Sequence, residues 1–277
     1  MNAYNDLTTA KDRLELAGVS IGTTFDTAIT NLMVAASRLA DELTHRRFYV
    51  ESKTLYFRGA GTKIFFDEDI LTITTLKTDE DGDGTFENTL TENTDFIVEP
   101  LNHYPKTWAE IMPQGSYGSF GAGRIRGVEL AGVFGYGDGV SETPYVDGGT
   151  DVNDASMTAA QTTCTIDDGT KFGAGQTILI DNEQLYISSI STHVLTVIRG
   201  VNGTTAATHA DDSDVYIYQY HPMVEEAVLI QTIKWWKRKD SGFQDFSQTG
   251  ADGEVKVHKG LDKDVKEMLT RLIKRNV

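Results

Sequence analysis

Cysteine, proline and long apolar runs are all scarce in this sequence of 277 residues. It contains one cysteine, Cys164, and five prolines. A single cysteine excludes an internal disulfide and gives no reason to expect an oxidising compartment. No apolar run approaches the roughly 18–20 residues that a membrane-spanning helix requires. The first residues lack the basic and apolar regions of a signal peptide, so we expect a cytosolic product or one released by lysis, with no membrane association.

Basic residues are also few, with 25 Lys and Arg against 41 Asp and Glu, giving a formal net charge of −16. Such a charge repels nucleic acid phosphates and argues against a role in gripping DNA. Plain solubility is an equally good explanation of the charge. Because hydrophobic residues make up 39 % and charged residues 24 % of the chain, we expect a globular protein without a signature of disorder.

No arrangement of residues typical of catalysis is found in the sequence. The six histidines are scattered, none in a two-histidine metal spacing, and no Gly-x-Ser-x-Gly elbow occurs. Cys164 lies in an apparent strand without an adjacent basic group, which predicts a packed or half-buried thiol. Pairs of carboxylates are too numerous among 41 acidic residues to indicate an acid–base pair. We therefore expect a protein that is not an enzyme and has no cofactor.

Two helices are predicted at the start of the chain and two at the end. Asp6 is a candidate N-cap for a helix from Leu7 to Ala17, and Thr24 for a longer helix. The apolar residues of the longer helix recur every three and four positions, as on one buried face. The basic run from His45 to Arg47 follows this helix, at a position where the exposed carbonyl groups of a helix C-terminus favour cations. The later helices are expected over residues 222–239 and 261–275, separated by a hairpin-like connection.

The centre of the chain is rich in strand-forming residues and turns. From Phe48 to about Phe134 the sequence alternates strands with turns, and Pro144 marks a boundary. Residues 144–219 contain only Lys171 and Arg199 as basic residues and predict a run of short strands. The fold class is therefore α+β, with the N- and C-terminal helices packed on a β core and a small all-β domain inserted. The predicted parts are residues 1–143 and 220–277 for the core and 144–219 for the insert.

The sharpest local motif is acidic and runs from Asp79 to Glu87. Asp79, Asp81 and Asp83 alternate and a glycine follows, as at the start of a calcium-binding loop, where oxygens at positions 1, 3 and 5 converge on one cation. The twelfth position, which should be a bidentate Glu, is Leu90, and no helix brackets the loop. A calcium site at Asp79, Asp81, Asp83 and Glu87 is the minor interpretation, and a hydrophilic hairpin tip is the main one.

A basic and aromatic cluster, Lys234-Trp235-Trp236-Lys237-Arg238-Lys239, ends the third predicted helix. Adjacent side chains on a helix point in different directions, so we expect one indole to pack inward and the other to be at least partly accessible. Trp and Arg are common at the centres of protein interfaces, which favours a contact with a partner protein. Burial of both indoles in the core is an equally weighted alternative.

The order of these elements resembles the head–tail connector (adaptor) proteins of tailed bacteriophages. Four segments carry the resemblance: AASRLADELTHRRFY, LYFRGAGTKIFFDED, LTITTLKTDEDGDGTFE, and the distal pair VEEAVLIQTIKWWKRKD and GLDKDVKEMLTRLIKR. The segment LTVIRGVNGTTAATH in the predicted insert is similar to small β modules of phage virion proteins. The resemblance covers roughly residues 1–140 and 220–277.

The resemblance implies a structural virion protein at the neck, assembled in the host cytoplasm. It implies a ring of about twelve copies that docks beneath the portal protein, closed by contacts between neighbouring copies. The ring would extend the DNA channel, let DNA pass without sequence-specific binding, and present a platform to the next neck or tail protein. An acidic wall would suit such a channel because it discourages sticking.

Family precedent implies positions for the candidate contact residues. The C-terminal helical part would meet the portal or a neighbouring copy, through Trp236, Lys237, Arg238, Phe243, Phe246, Arg271, Ile273 and Lys274. The acidic residues Asp79, Asp81, Asp83 and Glu87 would face the lumen or the next ring. The insert, with Tyr186, His193, Arg199, Tyr216 and Tyr218, would lie at the periphery. The alternative function is a carbohydrate- or calcium-binding β module carried on a helical scaffold.

Overall fold

A computed structural model describes residues 2–16, 21–238, 247–250, 253–256 and 260–274. The four helices are α1 (Leu7–Leu16), α2 (Asp26–Thr44), α3 (Pro222–Lys237) and α4 (Lys263–Thr270). All four lie within the ranges predicted from the sequence. The long second helix begins slightly later than its predicted cap, because Thr23–Phe25 forms a 3-10 turn first. Asp6 accepts a hydrogen bond from the Thr9 N–H at 3.0 Å, so the predicted cap of α1 is present.

The first sheet has six antiparallel strands. They are β1 (Glu51–Phe57), β2 (Lys63–Thr78), β3 (Asn88–Leu90), β4 (Phe96–Glu99), β5 (Lys106–Ile111) and β6 (Val128–Phe134). Their spatial order is β1-β6-β2-β5-β4, and β3 pairs with the end of β2. One face carries a core that includes Ile64, Phe66, Leu76, Leu130 and Phe134. Burial alternates along β6, which is the period of two expected when one face of a strand meets a core.

The second sheet is built from later strands. The next eight strands along the chain are β7 (Tyr145–Asp151), β8 (Ser156–Met157), β9 (Thr163–Thr165), β10 (Thr177–Ile180), β11 (Glu183–Ser191), β12 (Val194–Ile198), β13 (His209–Ala210) and β14 (Asp214–Tyr218). The six-stranded sheet has the order β7-β14-β10-β11-β12-β9, and β13 pairs with β8. A hairpin of β15 (Ser247–Gly250) and β16 (Gly253–Lys256) follows α3. The hairpin expected between the last two helices is therefore present.

The chain divides into two compact units. Met1–His45, Val146–Val201 and Thr205–Lys274 form one, here called the mixed unit; Arg46–Tyr145 with Asn202–Thr204 form the other, here called the β unit. All four helices thus share a unit with the second sheet. The α+β class is confirmed in its coarse form, with strands predominating. Packing of the helices on the first sheet is not confirmed, and the description of residues 144–219 as an insert stays a prediction.

Helices α1, α2 and α3 of the mixed unit share one hydrophobic core. Leu7, Ala10 and Leu14 of α1 and Ile29 and Met33 of α2 pack in the same cluster as residues of α3. The three- and four-residue spacing in α1 and α2 predicted this buried face. The helices from the beginning and the end of the chain therefore pack together.

Candidate functional site

The predicted contact residues at the end of α3 differ in exposure. Trp236 is only 5 % exposed and packs in the helical core, with its ring 5.3 Å from that of Phe25 in an edge-to-face arrangement. The preceding Trp235 is half-buried, and Lys237 is exposed. One indole packs inward as expected, but it is Trp236, so the role in partner contact expected for Trp236 is corrected to a role in the core. Trp235 and Lys237 are the more accessible neighbours.

The predicted contact residues Arg271, Ile273 and Lys274 lie near the C-terminal end of α2. The backbone N–H of Lys274 donates to the carbonyl of Thr44, the last residue of α2, at 2.8 Å. Arg271 is exposed and pairs with Glu267 at 3.2 Å, and Ile273 is 39 % exposed. Trp236, by contrast, meets the residue that precedes α2. The 19 residues of α2 span about 28 Å at 1.5 Å per residue, so the predicted residues form two separate groups.

Phe243 and Phe246 lie outside the described residues. The basic run after α2 was expected to cap that helix, but its arginines pair with carboxylates within the β unit. Arg46 contacts Asp69 at 2.7 Å and Arg47 contacts Glu51 at 3.0 Å. The Asp69 side chain is 2 % exposed, so the first of these ion pairs is largely removed from water.

The acidic motif forms the tip of a hairpin between β2 and β3. Thr78 pairs with Asn88 at the base of the hairpin, as the main interpretation predicted. Carboxylate oxygens of Asp79, Asp81, Asp83 and Glu87 lie within 4.8 Å of one another. The sequence therefore identified a group of side chains that the fold brings together. Glu80, by contrast, contributes its main-chain carbonyl, which accepts from the guanidinium of Arg124.

Hydrogen bonds within the tip explain why the carboxylates converge. The buried Asp79 carboxylate accepts from the N–H groups of Gly82 and Gly84 at 2.6 and 3.0 Å, and both glycines have positive φ. Asp83 accepts from the Thr85 N–H at 2.7 Å, and its hydrogen bonds to Thr85 lower the pKa of this carboxyl group.

The tip fits a calcium loop only at its beginning. Leu90, at the position of the bidentate ligand, is 4 % exposed and packs in the core of the first sheet. The four carboxylates at the tip are the residues that could hold a cation, without the ligand that closes a loop of this type. Loop hydrogen bonds alone account for their convergence.

A buried ionic network in the mixed unit was not predicted from the sequence. Glu183 is 1 % exposed, and Arg199 donates to both of its carboxylate oxygens at 2.7 Å. Two loop N–H groups donate to the same carboxylate at 2.9 Å, and His209 lies between Glu183 at 2.8 Å and Asp181 at 2.7 Å. Although burial opposes ionisation of Glu183, these hydrogen bonds lower its pKa to about 2. The network fixes the segment from Arg199 to His209, because Gly200, Ala207 and His209 all bind the same carboxylate.

Three of the side chains named for residues 144–219 lie inside the mixed unit. Arg199 is committed to Glu183, and Tyr186 and Tyr218 are 3 % and 8 % exposed. These three side chains are therefore interior groups of the mixed unit, and the position of residues 144–219 at the periphery of a ring stays a prediction. His193 accepts a backbone N–H from Gly169 at 3.1 Å, which gives this histidine a structural contact.

Cys164 is fully buried, and burial raises the pKa of its thiol to about 12. A thiol that stays protonated is a poor nucleophile. The prediction of a packed thiol is confirmed.

The outer face of the first sheet carries an aromatic pair. Phe65 of β2 lies opposite Trp108 of β5, with the ring centroids 6.0 Å apart. Two residues along the strands, Lys63 lies opposite Glu110, and these charges are 3.3 Å apart. The Lys63 ammonium is also 4.7 Å from the centroid of Trp108. Phe65 is 50 % exposed, so the face presents an accessible aromatic surface beside a charged pair.

Comparisons with protein-family models, with curated proteins and with solved structures found no match to this chain. Within the described part of the chain, no helix has the length and apolar character needed to cross a membrane.

Proposed function

We propose that this protein is a structural virion protein, a head–tail connector that forms a ring beneath the portal and links the head to the tail. The observation that carries the proposal is the shared core of the helices from the two ends of the chain. The resemblance to connectors rests in part on two of these helices, α2 and α3, and in part on α4 and on two strand-rich segments of the β unit. A ring of identical copies needs two different surfaces on each copy that fit each other, and a packed helical group can carry such surfaces.

The acidic hairpin tip supports a position at the channel or at the next ring. Asp81, Asp83 and Glu87 are exposed and lie close together. This local negative charge repels the phosphates of passing DNA. The tip would therefore face DNA without retaining it, or meet a basic surface on the downstream neck protein.

The two groups of candidate contact residues support two contact surfaces. Lys237 and Arg238 belong to one group, and Arg271, Ile273 and Lys274 belong to the other. In a ring, one surface would serve the portal and the other a neighbouring copy. Exposed charges at the rim of such contacts mainly affect the rate and specificity of association.

Co-sedimentation with purified portal assemblies of the same virus tests the proposal. The wild-type chain should sediment with the portal, and Lys237→Glu or Arg271→Glu should lower the bound fraction several-fold if its surface meets the portal. Lys266→Glu is the control, because it reverses a charge on the exposed side of α4. If the wild-type chain stays at the top of the sedimentation gradient when portal assemblies are present, the proposal is contradicted. Equal losses for all three variants would reject the assigned surfaces and retain only a charge effect.

A second candidate function, carbohydrate binding, is favoured by the Phe65–Trp108 pair. Aromatic rings combine a large apolar area with a fixed geometry, and a neighbouring ion pair offers hydrogen-bond partners to hydroxyl groups. A glycan array with the wild type and Trp108→Ala tests this function. Binding that disappears in the variant would favour it, and an array without wild-type binding would remove it. A matched control is Tyr56→Ala, which removes another exposed ring of the first sheet.

A further inference from the structure

A small pocket opens in the β unit where the first sheet is incomplete. β5 pairs with β2 over Lys63–Ile70, and β3 pairs with it over Leu76–Thr78. Among the described residues, no strand covers β2 on that side between these two ladders. Ile70 to Ile73 therefore form the floor of a pocket of about 200 Å³.

The walls of the pocket combine apolar and charged groups. Val98 and Leu101 extend the apolar floor, and the remaining walls come from Glu92, Asn93, Tyr104, Lys106 and Glu142. The Tyr104 hydroxyl donates to Glu142 at 3.0 Å. Burial, followed by the charge of Glu142, raises the pKa of Glu92. Both carboxylates line the same small opening, so their negative charges repel each other.

Lys106 does not balance both of these charges. This lysine is 5 % exposed, and its ammonium donates to the carbonyls of Pro100 and Leu101 at 2.7 and 2.9 Å. It also lies 4.3 Å from the centroid of the Tyr104 ring. The ammonium is therefore held by the loop that closes the pocket. One lysine against two carboxylates leaves the pocket with a formal excess of one negative charge.

The dimensions and chemistry of the pocket select its ligand. Sites for drug-sized molecules measure about 300–1,000 Å³, so a pocket of this volume suits a group the size of one side chain. Calcium takes about six to eight oxygen ligands, far more than two carboxylates supply. A planar guanidinium can donate to carboxylates on two sides, and its methylene stem can lie on Leu71, Ile73 and Leu101.

We propose that this pocket binds an alkylguanidinium group, the arginine side chain of a partner protein or a free guanidinium compound, between Glu92 and Glu142. The cation would relieve the repulsion between the carboxylates and cover the apolar floor. The proposal is independent of the connector assignment, since it rests on the pocket alone.

Titration of the full chain, labelled at isoleucine and leucine methyl groups, tests the proposal by NMR. The probes are N-acetyl-arginine methylamide, which stands for a protein side chain, and free agmatine, which stands for a small ligand. Both should shift the methyl signals of Leu71, Ile73 and Leu101 with a Kd in the millimolar range, about what one small charged group provides. Binding of both probes supports recognition of the guanidinium group from either source, binding of the blocked arginine alone assigns a protein side chain as ligand, and binding of agmatine alone assigns a small molecule.

Variants and a neutral probe decide whether the charge is recognised. Glu92→Gln with Glu142→Gln should weaken binding at least tenfold, whereas Glu80→Gln with Glu129→Gln, which removes the same charge elsewhere in the β unit, should leave it within twofold. Glu142→Gln alone, at an exposed position, serves if the double variant does not fold. N-acetyl-citrulline methylamide, the neutral analogue, should not bind. Equal binding of the citrulline compound, equal losses in both double variants, or no methyl shifts at about 50 mM of either cation would overturn the proposal.

Discussion

Replacing Glu183 by glutamine tests whether the buried network holds the mixed unit together. The substitution keeps the shape of the side chain and removes its charge. Arg199, whose side chain is 7 % exposed, would then lack its buried counter-ion. His209 would lose the same charged partner on one side.

The expected cost follows from the burial of the pair. Removing one partner of a buried ion pair typically costs about 3–5 kcal/mol, because the other charge stays uncompensated. The glutamine amide oxygen can still accept some of the hydrogen bonds, so we expect about 3 kcal/mol for Glu183→Gln. For a unit of this size, roughly 2–4 °C per kcal/mol converts this loss into a fall in Tm of about 6–12 °C.

Tryptophan fluorescence during thermal unfolding can measure this fall in Tm for the mixed unit alone. Trp108→Phe removes the tryptophan of the β unit, so that only Trp235 and Trp236 report, and both belong to the mixed unit. Glu226→Gln is the matched control, since its partner Arg13 is 46 % exposed and an exposed pair contributes about 0–1 kcal/mol. A Glu183→Gln variant that melts within 1–2 °C of its parent would refute the reasoning.

The same comparison has a defined dependence on pH. The pKa of Glu183 in the folded protein lies near 2, below its ordinary value of 4.5. A lowered carboxyl pKa stabilises the fold above the unfolded pKa, and this stabilisation is lost as the pH falls through the folded pKa. The difference in Tm between the parent and Glu183→Gln should therefore be full at pH 6 and shrink between pH 4.5 and 2. A difference that stays constant to pH 2 would show that the carboxylate charge does not cause it.

Three further predictions concern individual residues. Gly132→Ala would place a Cβ 2.2 Å from the backbone oxygen of Thr72, so it should lower the unfolding free energy of the β unit, measured with urea, by about 1–3 kcal/mol. The control Gly61→Ala, whose Cβ meets open space, should leave this free energy nearly unchanged. Equal losses in both variants would contradict the steric reason. Cys164 should resist a disulfide reagent at pH 8 in the folded protein and react fully in urea, because its thiol is buried and protonated; fast reaction of the native chain would contradict its burial. Asp79→Ala should loosen the hairpin tip by about 1–2 kcal/mol, since two N–H groups lose their acceptor, and should speed amide exchange there; unchanged exchange would argue against this role.

The helices and most strands of the mixed unit could be predicted because their patterns are local. The caps, the three- and four-residue spacing and Pro222 set the helices, and α3 begins at that proline. The strand Thr177–Ile180 is one of the short strands expected within residues 144–219. The two-residue strands β8 and β13 were missed, because a single pair of residues leaves no periodic pattern.

The long-range arrangement could not be predicted in the same way. The sequence places α2 next to the strands of the β unit, but the helix belongs to the mixed unit with strands more than 100 residues later. Apolar faces of similar size do not identify their partner, so sequence proximity was a poor guide.

The candidate sites show the same distinction. The acidic tip was identified because its residues are neighbours in sequence, whereas Glu92 and Glu142 are brought to one pocket only by the fold. The burial of Trp236 was one of two alternatives that helical geometry left open, and the position of Phe25 against it decides between them.

Electron microscopy of the purified chain mixed with portal assemblies of the same virus tests the connector assignment most directly. The proposal predicts portals that carry an additional ring with symmetry matching their own, and with the helical core resolved at a contact surface. Bare portals beside well-folded chain at micromolar concentration, in the presence and absence of packaged DNA, would contradict it.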